Sequence, residues 1–255
     1  MEATAQWLPS LRRFVARDGS FLSRYTEIGL LLHADLHIHL RTSPDSMLSP
    51  AGLLRACRRR GLQAIAVTDH NHLEGALALA GVAPPDLVVI AGEEVRTAQG
   101  ELLGLFLRQA LAPGGDAMET ARAIRAQGGL VGVPHPVDRF RQTLPLPVVE
   151  ALAQAGLLDF LEGRNGRVVC ACDNRRAEVL GRRLGLPLTA GSDAHSALEV
   201  GACSVLLPAF STPQEFLAAL AAGTLQGRPS PPWVHLLSSV AKLWRRRRQS
   251  SAAGS

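Results

Sequence analysis

A chain of 255 residues, 47% hydrophobic and 19% charged, has the length and composition of one globular domain with short appendages. No run approaches the roughly 18 apolar residues of a membrane-spanning helix, and the N-terminal MEATAQWLPSLRRF lacks the apolar core of a signal peptide, so a cytoplasmic protein is expected. The net charge of +5 belongs to the tail: Lys242 and the arginines at 245–248 supply five positive charges and leave the rest formally neutral, which argues against a long nucleic-acid track.

In chain order, residues 1–28 read as an irregular or helical leader. A first strand is expected at 29–38 (GLLLHADLHI), then a helix that Ser49 caps, Pro50 opens and Gly61 ends. Apolar runs at 63–68, 87–91, 102–107, 130–133, 157–161, 186–190 and 202–207 continue the series, mostly unbroken, as in strands buried on both faces. Further helices are expected from Asp116 and Glu119 to Gly128, over 173–184 with Gly185 at the end, and from the capping box of Thr212 and Glu215 to Gly223. Strand–helix alternation predicts a parallel sheet, and at this length a closed α/β barrel over 29–227. Residues 228–255 read as a linker (RPSPP, 228–232), an amphipathic helix over 233–244 and a basic end. This tail is taken as a helix packed on the barrel with a solvated end; contact with a membrane surface, nucleic acid or a partner is the alternative. Cys57, Cys170, Cys172 and Cys203 form no CxxC pair and are read as reduced, hydrophobe-like thiols.

The chemistry lies at the strand ends. In Asp35-Leu36-His37-Ile38-His39 the two-residue period puts Asp35, His37 and His39 on one face, where two imidazoles can chelate an ion. Thr68-Asp69-His70-Asn71 follows AIAV, Gly92-Glu93-Glu94 follows LVVIA, Pro134-His135-Pro136 follows LVGV, and Ser192-Asp193-Ala194-His195 follows LPLTA. Five of eight histidines therefore fall where barrel enzymes gather their active sites. His33, His72 and His235 have ordinary places: the first strand, an exposed loop and the tail helix.

These five ordered motifs, spread over about residues 30–210, resemble the PHP (polymerase and histidinol phosphatase) phosphoesterases. The resemblance implies a distorted (β/α)7 barrel with two or three divalent ions at the C-terminal ends of its strands: manganese, iron or zinc, with magnesium possible. Carried over residue by residue, His37, His39 and Asp193 would hold one ion, with Glu93 bridging to a second that includes His135. Asp69, His70 and His195 would hold a third, and Asp35 would orient rather than ligate. Where many members have a histidine after the bridging glutamate, this chain has Glu101, read as a ligand whose harder oxygen favours manganese or magnesium.

The expected reaction is hydrolysis of a phosphate ester, mono- or diester, by a hydroxide that the metals activate. Arg139, Arg141 and Arg164, with Arg41 beside the first histidine pair, are candidates to hold phosphate oxygens. The expected substrate is a phosphorylated small molecule, a nucleotide or a short oligonucleotide. A non-catalytic metal-binding PHP module is the alternative. A carbamylated-lysine amidohydrolase is disfavoured, because the only lysine, Lys242, is in the tail.

Overall fold

The computed structural model describes residue 29, residues 31–235 and residues 238 and 239. The expected leader and most of the basic tail lie outside the described residues; within the tail, 234–235 and 238–239 are helical. Among the described residues nine strands form one sheet: β1 (Leu31–Ile38), β2 (Ala64–His70), β3 (Val88–Arg96), β4 (Glu101–Leu105), β5 (Leu130–Val133), β6 (Phe160–Asn165), β7 (Leu188–Gly191), β8 (Cys203–Pro208) and β9 (Thr224–Gly227). Their order is β7-β6-β5-β4-β3-β2-β1-β8-β9. The helices are α1 (Pro50–Arg60), α2 (Glu74–Val82), α3 (Ala117–Ala126), α4 (Leu146–Gln154), α5 (Ala171–Leu184) and α6 (Pro213–Ala221). None is long and apolar enough to cross a membrane.

One edge of β1 serves two neighbours and closes the sheet. Residues 31–34 pair antiparallel with β8. Beyond them, the Asp193 N–H donates to the His37 carbonyl at 2.7 Å and the His39 N–H to the Ala194 carbonyl at 2.9 Å. Strands β1 to β7 thus make a nearly closed barrel, and β8 and β9 extend it. A Cβ on Gly191 would lie 2.3 Å from His37 Cβ, so only glycine lets β7 approach β1 this closely.

The sheet is less parallel than the sequence predicts. Pairs β1–β2, β2–β3, β5–β6 and β6–β7 are parallel, but β4 runs antiparallel to both β3 and β5. Only residues 97–100 separate β3 from β4, whereas a parallel crossover needs about a dozen.

Two apolar layers hold the barrel. Leu32, Ala34, Ala64, Ala66, Val88, Ile90, Leu105 and Phe160 fill the interior, which Phe216 and Leu220 of α6 close from below. Ile65, Val67, Val89, Val131 and Leu161 point outward against Leu53, Ile124, Val149 and Leu180 of the surrounding helices. The caps follow from sequence: Ser49 Oγ accepts from the Gly52 N–H, Asp116 from Met118 and Glu119, and Gly61 and Gly185 end their helices in the left-handed region. Cys170 and Cys172 are disulfide-bonded at the start of α5, against the expectation of four thiols, while Cys57 and Cys203 are free and buried.

Candidate metal centre

Strand parity decides which residues reach the barrel mouth. Ala64 and Ala66 of β2 and Val88 and Ile90 of β3 face the interior, so the same parity carries His70 and Glu94 inward. These two are register partners. Asp69 and Glu93 are therefore on the wrong face for the roles the sequence reading gives them, since neighbours on a regular strand cannot share a side. Glu94 is the glutamate among the imidazoles. Glu93 lies behind it, accepts from the Leu111 N–H at 3.1 Å, and is pushed up to about 7 by burial and the nearby Glu74. Asp69 accepts at 2.7 Å from Ser43 Oγ, which stands 3.3 Å from His39 Nδ1.

Bulges shift the parity elsewhere. An extra residue between Asp35 and Ile38 brings His37 and His39 into the mouth and turns Asp35 to the opposite face. There Asp35 accepts from the Ser192 N–H (2.8 Å), Ser192 Oγ (2.5 Å) and the Gly201 N–H (2.8 Å); burial lifts its pKa to about 6 against these bonds. It positions the Ser192 loop, not the histidine rings. A second bulge, between Glu162 and Arg164, turns Asn165 inward and sends Arg164 to Glu178 of α5 at 2.8 Å. Arg139 is also outside the site, half-exposed and paired with Asp173 at 2.9 Å. Of the four arginine candidates only Arg141 lines the mouth, as an ion pair with Asp193, while Arg41 is exposed.

The converging atoms are imidazole nitrogens and carboxylate oxygens. Nε2 of His37 and of His39 are 3.0 Å apart. Glu94 Oε2 lies 3.4 Å from the first, 3.3 Å from the second and 3.0 Å from His70 Nδ1, while its Oε1 is 3.1 Å from His135 Nε2. Asp193 Oδ2 is taken by Arg141 and by Asn165 Nδ2 (3.0 Å), which leaves Oδ1 facing His39 Nε2 at 3.3 Å. Asp45, from the loop after β1, sets Oδ1 3.4 Å from His195 Nε2 and Oδ2 3.7 Å from His70 Nε2. Glu101 Oε2 is 3.7 Å from His135 Nε2. Three overlapping trios have ligand atoms within 4.8 Å of one another: His37, His39 and Glu94; His39, His70 and His195; and His70, Glu94 and Glu101. His135 and Asp193 both hold left-handed backbone conformations, a strain that tends to persist at functional sites.

Hydrogen bonding fixes the tautomers. His37 Nδ1 faces Glu162 Oε1 at 3.0 Å, so the ring proton is there. Ser43 donates to Asp69 and therefore accepts from His39 Nδ1. His195 Nδ1 donates to the Asp193 carbonyl at 2.8 Å. Each ring then turns a bare Nε2 lone pair toward the others and toward carboxylates. Cations relieve that arrangement, so the residues fit divalent ions. Protons are the substitute: burial, which alone would lower His37 and His39, is outweighed by Asp193, Glu94 and, for His37, Glu162, leaving His37 well above the usual range and His39 at about 9. Asp193 is held well below the carboxylate range, against its burial, by Arg141, His37 and His39; Glu94 is held low likewise by His70, His37 and His135. Glu101 is raised, by burial and then by the charge of Glu94.

Residues 35–119 match the PHP domain family and residues 172–225 the PHP-associated family. The chain belongs to the PHP family. It is 32% identical over 199 residues to the uncharacterized protein MJ0417 of Methanocaldococcus jannaschii, covering 74% of this chain and 79% of that one. It is 34% identical over 116 residues to MJ1587 of the same organism, also uncharacterized, over 41% of this chain and 68% of that one. A solved two-domain protein of Bacteroides vulgatus, described as containing a predicted PHP-like metal-dependent phosphoesterase, superposes with a TM-score of 0.65 at 20% identity. The match covers 78% of this chain but only 65% of that one, and at this identity it carries the fold alone.

Proposed function

We propose that this PHP protein is a metal-dependent phosphoesterase that hydrolyses a phosphate ester at the barrel mouth. The carrying observation is the set of buried Nε2 lone pairs and carboxylate oxygens turned on one another, which fits divalent cations. His37, His39, Glu94 and Asp193 would hold one ion, with His70, His195 and Asp45 beside them and Glu94, His135 and Glu101 completing the cluster. Mixed nitrogen and oxygen donors suit manganese, iron or zinc. Such ions lower the pKa of a bound water and draw charge from phosphoryl oxygens.

The chain's own residues do the positioning. Glu162 holds the His37 proton on Nδ1, and Ser43 passes the orienting effect of Asp69 to His39. Two guanidiniums line the mouth: Arg167 is tied to Ser238 and Glu199, and Arg141, paired with Asp193, is the one assigned to phosphoryl oxygens. The hydroxyl of Ser43 is committed to Asp69 and that of Ser192 to Asp35, so neither supports a covalent serine route. The test is a panel of mono- and diesters with added manganese, in the full chain and in His37→Ala. Turnover that His37→Ala abolishes, with the far-UV spectrum preserved, is expected. Undiminished turnover in that variant overturns the assignment, and metal binding without hydrolysis of any ester leaves a metal-binding module.

A further inference from the structure

The chain's four cysteines divide into two kinds. Cys57 and Cys203 are free and buried, and burial, with the charge of Asp35, pushes both thiols up to about 12. Such thiols keep their protons and are inert. Cys170 and Cys172 are joined where the chain enters α5, both half-buried, with the exposed Val169 and Ala171 as neighbours. A soluble thiol can therefore reach this pair.

The surroundings of the pair favour exchange. Cys172 lies in the first turn of a 14-residue helix, and the Arg139 guanidinium donates to its Sγ at 3.4 Å. A helix N-terminus and a guanidinium both stabilise a thiolate, which makes Cys172 the better leaving group. Cys170 stands at the N-cap of α5 but gives the helix no side-chain hydrogen bond. Its covalent link to Cys172 thus pins a turn that lacks a side-chain cap.

From the same end of α5, Asn174 reaches back to the barrel. Its Oδ1 accepts from the Asn165 N–H at 2.9 Å, and its Nδ2 donates to the Asn165 carbonyl at 3.0 Å. Asn165, fully buried at the end of β6, divides its Nδ2 protons between Glu162 Oε2 and Asp193 Oδ2, each at 3.0 Å. Glu162 in turn fixes the His37 tautomer and accepts from the His135 N–H at 2.8 Å. Hydrogen bonds with two intermediaries, Asn174 and Asn165, thus join the start of α5 to the candidate ligands.

We propose that Cys170 and Cys172 are a reversible oxidation site, exchanging with a dithiol, and that Asn174 and Asn165 carry its state to the barrel mouth. In the reductive direction a thiolate of the dithiol attacks Cys170 Sγ, the S–S bond breaks, and Cys172 leaves as a thiolate facing Arg139. The second thiol of the reagent, as thiolate, then attacks its partner sulfur in the mixed disulfide and expels Cys170. Two electrons and two protons pass to the protein, and the dithiol becomes a cyclic disulfide. The opened turn frays, Asn174 loosens its hold on Asn165, and Glu162 and Asp193 lose a shared donor. The reduced protein therefore binds metal less tightly. Only that last step rests on the metal site proposed above.

The test treats the full chain with dithiothreitol, removes the reagent under nitrogen, and counts thiols by alkylation and mass spectrometry. The folded protein should gain two reactive thiols, Cys170 and Cys172, and oxidised glutathione should close the pair again. Hydrogen exchange over residues 163–168 should be about tenfold faster in the reduced form. The Kd for manganese should be about tenfold weaker, the low end of the range for lost supporting groups. Cys170→Ser/Cys172→Ser should behave as the reduced form under either reagent. Asn174→Ala should keep the thiol chemistry and lose the difference in manganese affinity. A pair that dithiothreitol never opens in the folded protein overturns the proposal, as does one that opens with either the exchange or the manganese affinity unchanged. If manganese binds neither form, the metal site fails by itself, and hydrogen exchange alone decides the coupling.

Discussion

At the scale of residues, the centre turns on one adjacent pair. Glu93 and Glu94 have the same side chain, yet Glu94 lies among four imidazoles and Glu93 accepts from a backbone N–H behind them. Glu94→Gln should lower kcat/KM by more than about 100-fold, beyond the roughly 10–100-fold typical of groups that only orient a ligand, and should reduce bound metal on elemental analysis. Glu93→Gln should retain both. Glu162→Gln, which exchanges the carboxylate that fixes the His37 tautomer, should fall within that roughly 10–100-fold range in activity or metal affinity. The strand-end motifs are legible in sequence because histidines and carboxylates after apolar runs are rare by chance. The choice within each motif follows from parity: with the small Ala64 and Ala66 inside, His70 is inward and Asp69 is not. Asp45, Ser43 and Arg167 leave no such signal, because irregular loops have no period to read.

At the scale of elements, eight apolar runs each overlap a strand, although β6 starts three residues late and shares only 160–161 with its run, and the caps at Ser49, Asp116, Gly185 and Thr212 mark helix ends correctly. Strand β9, TLQG, has no apolar run and passes unseen; α2 and α4 lie in alanine- and leucine-rich stretches without clear start signals. The bulges in β1 and β6 are invisible because pairing with the neighbouring strand, not local sequence, shows which residue is extra. They matter to function, since they turn Asp35 and Arg164 away and admit His37, His39 and Asn165. The closure at Gly191 allows a direct check. Gly191→Ala should destabilise the fold by about 1–3 kcal/mol, the usual cost of overpacking, and loosen metal binding, because the new methyl meets His37 itself. Equal melting temperature and metal content in that variant would contradict this closure.

At the scale of the molecule, the candidate ligands come from β1 to β4 and the ends of β5 and β7, so an ion bound there would tie most of the barrel together. Manganese at about 100 times its Kd should add about 3 kcal/mol to stability. For a chain of this size that is a rise of roughly 5–10 °C in melting temperature, read by calorimetry, reversed by chelator and reduced in His37→Ala. The same layout sets an order of events in folding. Asp35 and Ser192, which lock the two sides of the closure together, are 157 positions apart in the chain. Helices and the β3–β4 hairpin form from local contacts, but His37 and His39 meet Asp193 and His195 only when distant parts of the chain dock. Such long-range contacts are slow to make. During synthesis His37 and His39 leave the ribosome early and must wait for Asp193 and His195, so the centre can assemble only after the end of β7 docks on β1, and metal uptake would report that the barrel has shut.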